Sequence, residues 1–340
     1  MKAVRMTAVG RPLELQELEP REPGAGEVLV RVRAAGICHS DAHYRSGLSP
    51  MGPLPLTLGH EIAGVVERVG PGVASPAPGD RVGIHYLHAC GRCPRCIAGQ
   101  ENHCPSSDMF GHHRDGGFAE AVTVPARNVV PLPAGIPFEH AAVMMCSSAT
   151  ALHALRKGRL QPGDDVAIFG FGGLGVSALQ LARAMGAARI WVVDIRAERL
   201  ELARHLGGIP IDASVENSEK RLLDHGQEVQ VALDLVGLPG VMRQAIGCLG
   251  PGGRAVLVAL SDQKLELDPY REILGREAEL IGSNDHTLAE LTELVDFVER
   301  GALDLSHAVT GRVPLEAGAI NGVLDALEQN RAGVRTVVVP

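Results

Sequence analysis

The chain has 340 residues, of which 45% are hydrophobic and 21% are charged. This length and balance are typical of a globular protein with two domains of ordinary size. The formal net charge is −8, from 32 basic and 40 acidic residues, and no basic run stands out. We therefore do not expect nucleic acid or an anionic membrane to be a partner.

The N-terminal residues (1–7) contain no apolar stretch of the kind found in signal peptides. The least polar segment, 141–155, is interrupted by serine, threonine and histidine and is too short for a membrane span. The sequence therefore predicts a cytoplasmic protein. In that reducing compartment, clustered cysteines indicate metal ligands rather than disulfides.

Up to about residue 147, the sequence predicts short strands separated by glycine and proline. Residues 28–33 alternate between apolar and polar side chains, as in a half-buried strand. Residues 62–69 predict a second strand that ends at a Gly-Pro-Gly turn, and residues 81–84 predict a third. This pattern predicts an irregular β-barrel.

The periodicity changes near residue 150, where strands begin to alternate with helices. The predicted strands are 165–169, 190–194, 229–234 and 253–258, and the predicted helices are 176–185 and 197–206. Such alternation is typical of a doubly wound α/β domain built on a parallel sheet.

From about residue 284 the chain predicts helices at 288–299 and 317–329 and a terminal strand at 334–339. We expect this tail to return to the first domain. The predicted division is therefore a catalytic domain of residues 1–147 and 284–340, and a dinucleotide-binding domain of residues 148–283.

A glycine-rich turn, Gly170-Phe171-Gly172-Gly173-Leu174-Gly175, follows the predicted strand 165–169 and opens a predicted helix. In this context the glycines indicate a dinucleotide site. Gly170 makes the tight turn, Gly172 lets the backbone approach a pyrophosphate, and Gly175 lets helix and strand pack closely. The alternative is a βα turn without a ligand.

Asp194 ends the next predicted strand, 19 residues after Gly175. A carboxylate in this position binds the adenine-ribose hydroxyls of NAD and repels the additional phosphate of NADP. Arg196 and Arg199 follow closely, and a guanidinium can bind that phosphate. The sequence favours NAD and leaves NADP as the alternative.

Four of the seven cysteines, Cys90, Cys93, Cys96 and Cys104, form a C-x2-C-x2-C-x7-C cluster in a lobe at about 88–106. Four thiolates are the ligands of a closed structural zinc site. The run resembles the bacterial iron–sulfur spacing except for its last gap of seven residues. We interpret it as structural zinc, with an iron–sulfur cluster or free thiols as alternatives.

A second ligand set is spread along the chain. Cys38 follows a predicted strand, His60 and Glu61 precede another, and Cys146 lies in the segment that joins the predicted domains. A catalytic zinc takes about three protein ligands and keeps one position open, and Cys2His is such a set. Cys38, His60 and Cys146 are the predicted ligands, while Glu61 is either a transient ligand or a nearby charge.

Three residues close to Cys38 suit the transfer of a proton. Ser40 could take the proton of an alcohol and pass it through the ribose hydroxyls to His43, whose pKa suits proton shuttling. Asp41 is an expected acceptor for the free N–H of His60. The alternatives are a surface histidine at 43, a helix cap at Asp41 and a core cysteine at 146.

These motifs together resemble the zinc-dependent medium-chain alcohol dehydrogenases, and the resemblance covers essentially the whole chain. The order is the family's: Cys38-His39-Ser40-Asp41-x-His43, then Gly59-His60-Glu61, the four-cysteine lobe, Cys146 and the Gly170 to Gly175 turn. The resemblance implies a GroES-like β-barrel catalytic domain, completed by the C-terminal segment, and a Rossmann domain.

The resemblance also implies further cofactor contacts. These are His39 and Arg335 on phosphates, Arg199 near the adenosine ribose, and Thr150, Leu174 and Leu260 at the nicotinamide. It places Tyr86 in the wall of the substrate pocket. The chain length is similar to bacterial and yeast members, which implies a homotetramer, with a dimer as the alternative.

The first hypothesis is thus an NAD-linked alcohol dehydrogenase with two zinc ions per subunit. Its substrates would be primary or secondary alcohols, or the matching aldehydes and ketones. A polyol, threonine or aromatic-alcohol dehydrogenase is a close alternative, although polyol relatives often have glutamate where Cys146 stands. A catalytically silent NAD-binding protein is disfavoured by the complete ligand sets, and a metallohydrolase by the dinucleotide turn.

Overall fold

The computed structural model describes residues 1–215, 217–224, 228–329 and 331–340. Its strands, in chain order, are β1 (Lys2–Met6), β2 (Glu14–Glu17), β3 (Glu27–Ile37), β4 (Leu56–Thr57), β5 (Glu61–Val69), β6 (Arg81–Ile84), β7 (Leu87–His88), β8 (Asp108–Met109), β9 (Ala121–Pro125), β10 (Val129–Pro131), β11 (Asp165–Phe169), β12 (Arg189–Asp194), β13 (Ile209–Asp212), β14 (Val229–Asp234), β15 (Leu249–Leu257), β16 (Glu279–Gly282), β17 (Gly311–Pro314) and β18 (Thr336–Val339).

The α-helices, in chain order, are α1 (His39–Ser46), α2 (Pro94–Ile97), α3 (Phe138–Val143), α4 (Ala149–Lys157), α5 (Gly173–Ala184), α6 (Ala197–His205), α7 (Ser218–Asp224), α8 (Pro239–Gly247), α9 (Leu288–Glu299) and α10 (Ala317–Glu328). A π-helical turn, Met144–Ser148, joins α3 to α4. In the described part of the chain, no helix is long and apolar enough to cross a membrane.

One compact unit contains residues 1–149, 286–299 and 305–340. Its main sheet has the strand order β10-β6-β5-β3-β18-β17, and β9 also pairs with β3. Along β3, Val30 and Val32 are buried while Arg31 and Arg33 are exposed, because successive side chains of a strand point to opposite faces. The buried face forms the core of the predicted barrel, and we call this unit the barrel unit.

The C-terminal strand completes this sheet. β18 runs antiparallel to β3, with Thr336 opposite Ile37 and Val338 opposite Ala35. The pairing places Arg335 beside the end of β3, where its guanidinium donates a hydrogen bond to the carbonyl oxygen of Ile37 at 3.3 Å. The end of the chain thus reaches the residues that adjoin Cys38.

The other compact unit contains residues 150–285 and 300–304. Its six strands are all parallel, in the order β13-β12-β11-β14-β15-β16. This is the 3-2-1-4-5-6 order of a Rossmann sheet. The central strand β11 is buried along its whole length, as expected for a strand covered on both faces. The predicted α/β fold class, a GroES-like barrel with a doubly wound domain, is confirmed.

Two elements begin earlier than the sequence pattern predicted. α5 begins at Gly173 rather than 176, because its first turn contains two glycines that break the apolar pattern without breaking the helix. β15 begins at Leu249 rather than 253 and includes an irregularity in its pairing with β14. Residues 300–304 also pack with the parallel sheet, where Gln180 exchanges hydrogen bonds with the backbone of Asp304.

Candidate active site and metal centres

Four buried side chains converge in the barrel unit. One potential ligand atom from each of Cys38, His60, Glu61 and Cys146 lies within 4.8 Å of the others. Cys38 follows β3, His60 directly precedes β5, Glu61 begins β5, and Cys146 lies on the π-helical turn. Such turns are frequent at functional sites, because the extra residue changes the direction of a side chain.

Asp41 connects the parts of this cluster. One carboxylate oxygen accepts a hydrogen bond from the backbone N–H of Cys38 at 2.8 Å, and the other accepts one from Gly59 at 3.3 Å. The second oxygen also lies 3.5 Å from Nδ1 of His60. Asp41 therefore directs Nδ1 toward itself and leaves Nε2 of His60 for the cluster, which is how carboxylates orient histidine ligands of metals.

The electrostatics of the cluster favour a bound cation. A hydrogen bond from Cys146 lowers the pKa of Cys38 well below its usual value, while the same bond raises the pKa of Cys146. Burial alone would lower the pKa of His60, but Asp41 and Cys38 together raise it well above its usual value. Because a coordinated thiol is deprotonated outright, a divalent ion would stabilise both thiolates. The donor set fits catalytic zinc.

Glu61 is completely buried and lies 3.2 Å from the guanidinium of Arg335, which is itself only 6% exposed. Burial raises the pKa of Glu61 to about 8, although Arg335 opposes this rise. Burial alone would lower the pKa of Arg335, but the negative charge of Glu61 outweighs this effect, and the pKa is raised above its usual value. The resemblance implied a phosphate contact for Arg335, and in the structure its guanidinium interacts with Glu61, with the carbonyl oxygen of Ile37 and with Cys38.

The residues predicted to move a proton lie on α1. Ser40 Oγ is 3.7 Å from Cys38 Sγ, so the hydroxyl adjoins the cluster. His43 comes one helical turn later, on the same face as Ser40, and is half-buried. The rings of His39 and His43 lie 4.8 Å apart.

The four-cysteine lobe brings its thiols equally close. Their sulfur atoms all lie within 4.8 Å of one another, with Cys93 3.5 Å and Cys90 3.9 Å from Cys96. A tetrahedron with Zn–S bonds of about 2.3 Å has sulfur–sulfur edges of about 3.8 Å. Backbone N–H groups of Arg92 and Cys93 lower the pKa of Cys90 to about 6. This geometry fits one tetrahedral zinc ion rather than a wider iron–sulfur cluster.

The glycine-rich turn lies at the carboxyl end of β11 in the second unit. Gly170 has a positive φ of 97°, and a Cβ on Gly175 would lie 2.3 Å from the carbonyl oxygen of Gly170. Gly172 precedes α5 and a Cβ there would meet no protein atom within 4 Å. The space beside Gly172, at the N-terminus of α5, fits the close approach of a pyrophosphate.

Asp194 is buried at the end of β12. Its carboxylate accepts hydrogen bonds from the backbone N–H groups of Phe171 at 2.7 Å, Ile195 at 2.8 Å and Arg196 at 3.0 Å, and lies 3.5 Å from Arg199. It is thus fixed beside the glycine-rich turn. Three further residues predicted at the cofactor are also in this unit: Leu174 in α5, Thr150 in α4 and Leu260 in the exposed loop after β15. His39 and Arg335, predicted on phosphates, belong to the barrel unit instead.

Two buried residues of the barrel unit were not predicted. Arg45 is buried on α1 and forms ion pairs with Asp325 at 2.7 Å and Glu328 at 2.8 Å on α10. His286 is buried, and its Nδ1 lies 3.4 Å from the hydroxyl of Tyr86. Both contacts join segments 200 or more residues apart in the chain, so no local sequence signal identifies them.

Known proteins match this chain along its whole length. Residues 24–134 match the family model of the alcohol dehydrogenase GroES-like domain, and residues 173–300 match that of the zinc-binding dehydrogenases. An alcohol dehydrogenase of Geobacillus stearothermophilus is 36% identical over 99% of both chains.

Two solved structures are also similar to this chain. An NAD-dependent alcohol dehydrogenase superimposes with a TM-score of 0.92 at 34% identity, with all of both chains covered. A protein of Sinorhizobium meliloti 1021, described as a zinc-binding dehydrogenase bound to NADP, gives 0.91 at 32% identity, covering 100% of this chain and 99% of the other. The chain belongs to the zinc-dependent medium-chain alcohol dehydrogenase family, as its motifs predicted.

Proposed function

We propose that the protein is an NAD-linked alcohol dehydrogenase that transfers a hydride reversibly between a primary or secondary alcohol and NAD. The observation that carries the proposal is the buried cluster of Cys38, His60, Glu61 and Cys146, whose ligand atoms lie within 4.8 Å of one another. A structural zinc site alone would require only the four-cysteine lobe. The set of Cys38, His60 and Cys146 suits catalysis, because two cysteines and one histidine leave a coordination position of zinc open for a substrate.

The residues of the cluster and those next to it have different roles in the proposed reaction. Zinc held by Cys38, His60 and Cys146 supplies Lewis acidity to the oxygen of the alcohol or carbonyl when it is bound. Ser40 Oγ, 3.7 Å from Cys38 Sγ, is positioned to accept the alcohol proton. His43 receives the proton farther from the cluster. Asp41 and Arg335 hold His60 and Glu61 in place.

Asp194 supports NAD as the cofactor. Three backbone N–H groups already bind its carboxylate, but two carboxylate oxygens offer about four acceptor positions, so about one position remains for a ribose hydroxyl. Its charge disfavours a 2′-phosphate. Arg199, at 3.5 Å, offsets part of that charge, and one structurally similar protein binds NADP. NADP is therefore the second candidate.

A panel of alcohols assayed at the nicotinamide absorbance tests the proposal. We expect NAD reduction with several primary or secondary alcohols, and loss of turnover after a chelator removes the catalytic metal. Adding zinc back should restore the activity. Full activity in protein shown by elemental analysis to lack that metal would refute the mechanism, and activity only with NADP would refute the cofactor assignment.

A further inference from the structure

A tyrosine and a histidine lie behind the metal-binding face of His60. The ring of Tyr86 packs edge-on against the ring of His60, with centroids 5.2 Å apart and an interplanar angle of 80°. Tyr86 is only 3% exposed. Its hydroxyl lies 3.4 Å from Nδ1 of His286, and the two rings meet at 88° with centroids 5.0 Å apart.

His286 is itself held from two sides. The ring of His85 lies 5.2 Å from that of His286 and makes a hydrogen bond to its backbone. Two residues later, the backbone N–H of Leu288 donates to the carboxylate of Glu101 at 2.5 Å, at the start of α9. Glu101 belongs to the four-cysteine lobe. The backbone at His286 is thus held in the barrel unit, and its ring lies between those of His85 and Tyr86.

His60 needs such a support. The torsion that rotates an imidazole about its Cβ–Cγ bond is broad and roughly two-fold, so a histidine ligand is oriented by its neighbours. Asp41 contacts Nδ1 at 3.5 Å but fixes a point on the ring rather than its plane. The edge-on ring of Tyr86 restricts that plane, and the contact with His286 restricts the ring of Tyr86.

We propose that Tyr86 and His286 form a positioning pair that sets the ring plane of His60. The proposal rests on the proposed function, in which His60 is a ligand of the catalytic zinc. In this role both residues act through His60 and not as ligands of the metal. Their effect is on the geometry of the metal and on the oxygen that it binds.

Two variants of the full chain and their double variant test the pair, and two further variants serve as controls. Tyr86→Phe removes only the hydroxyl, and His286→Leu removes its partner. His286→Asn keeps a polar atom close to the position of Nδ1 and serves as the conservative control. Tyr270→Phe, at a tyrosine that is 74% exposed in the second unit, controls for the loss of a hydroxyl.

The direct readout is cadmium NMR of the protein with Cd²⁺ in place of zinc. The unaltered protein should give two resonances, one from the four-thiolate lobe and one from the Cys38, His60 and Cys146 site. In Tyr86→Phe and His286→Leu, the second resonance should shift while the lobe resonance stays and reports an intact fold. His286→Asn and Tyr270→Phe should leave both resonances in place.

Turnover gives the second readout. We expect kcat/KM to fall about tenfold in Tyr86→Phe and in His286→Leu, within the range for residues that orient metal ligands. The double variant should fall no further, because both changes remove one contact. Unshifted resonances in both single variants, or a fully additive loss in the double variant, would overturn the pair. If the unaltered protein gives only the lobe resonance, the proposed function fails and the pair fails with it.

Discussion

Asp194 illustrates how a single carboxylate can serve two purposes. Its bonds to the backbone of Ile195 and Arg196 order the turn after β12, and its bond to Phe171 ties that turn to the glycine-rich turn after β11. Its remaining acceptor capacity suits a ribose. A substitution removes both purposes, but two measurements separate them, because loss of the first lowers stability and loss of the second changes the choice between NAD and NADP.

We expect Asp194→Gly to relax the preference for NAD. The variant loses hydrogen bonds between a charged group and the ribose, which are worth about 1.5–3 kcal/mol, and it no longer repels the 2′-phosphate. The ratio of kcat/KM for NADP to that for NAD should rise by roughly tenfold or more.

The matched control is Asp212→Gly. Asp212 ends the neighbouring strand β13 in register with Asp194, but its carboxylate binds Ser214. The control should leave the cofactor ratio unchanged. An unchanged ratio in Asp194→Gly would show that this carboxylate does not select the cofactor.

Site residues could be predicted from the sequence where they lie close together in the chain. Cys38 with Ser40 and Asp41, and His60 with Glu61, are short motifs that can be recognised in the chain. The association of Arg335 with Glu61 could not be predicted in the same way, since it depends on the pairing of β18 with β3. His286 was missed for the same reason, because its contact with Tyr86 spans 200 positions.

Among the elements, α1 has the largest share of the site. It begins directly after Cys38 and carries Ser40 and His43. Its last turn is fastened to α10 by Arg45, whose side chain is only 8% exposed, through Asp325 and Glu328. The helix is therefore fixed at one end by Asp41 and at the other by Arg45.

Arg45→Met should weaken both stability and catalysis. Losing these charge-assisted hydrogen bonds should cost about 2 kcal/mol, or a fall of roughly 4–8 °C in melting temperature by calorimetry. Because the freed helix carries Ser40 and His43, kcat should fall by roughly tenfold.

Arg204→Met is the corresponding control. Arg204 pairs with Glu201 on the surface of α6, where both side chains are more than half exposed, and such pairs contribute little. The control should match the unaltered protein in both measurements. A lower melting temperature with unchanged kcat in Arg45→Met would mean that Asp41 alone positions α1.

Elements with a clean pattern were predicted closely. β11, β14 and α9 have the predicted bounds, since continuous apolar runs and a regular 3.6-residue period are strong signals. α5 and β15 were predicted short because glycines at their starts have no side chain to show the period. In the first turn of α5 glycine is required at position 175, because the backbone of Gly170 approaches it too closely for a side chain.

The whole molecule consists of two units whose patterns differ along the chain. A change from short strands to alternating strands and helices near residue 150 was enough to predict both architectures. The order of the six parallel strands could not be predicted from periodicity, which gives the elements and not their neighbours. The resemblance implied a Rossmann domain without stating a strand order, and the observed order is that of a Rossmann sheet.

The central claim concerns metal content, because the protein is proposed to hold one zinc for stability and one for catalysis. In the barrel unit there are two ligand sets, and within each set the ligand atoms lie within 4.8 Å of one another. The two sites share no residue, so each can be removed separately. Cys38→Ser should impair only the catalytic site, while Cys90→Ser should impair only the lobe.

The most direct test measures zinc and turnover on the same preparations. We predict two zinc ions per chain in the unaltered protein. Cys38→Ser should contain one, lose turnover and still bind NAD, because its dinucleotide turn lies in the other unit. Unaltered protein that is fully active with a single zinc, or a Cys38→Ser variant that keeps two zinc ions and turns over normally, would contradict the account.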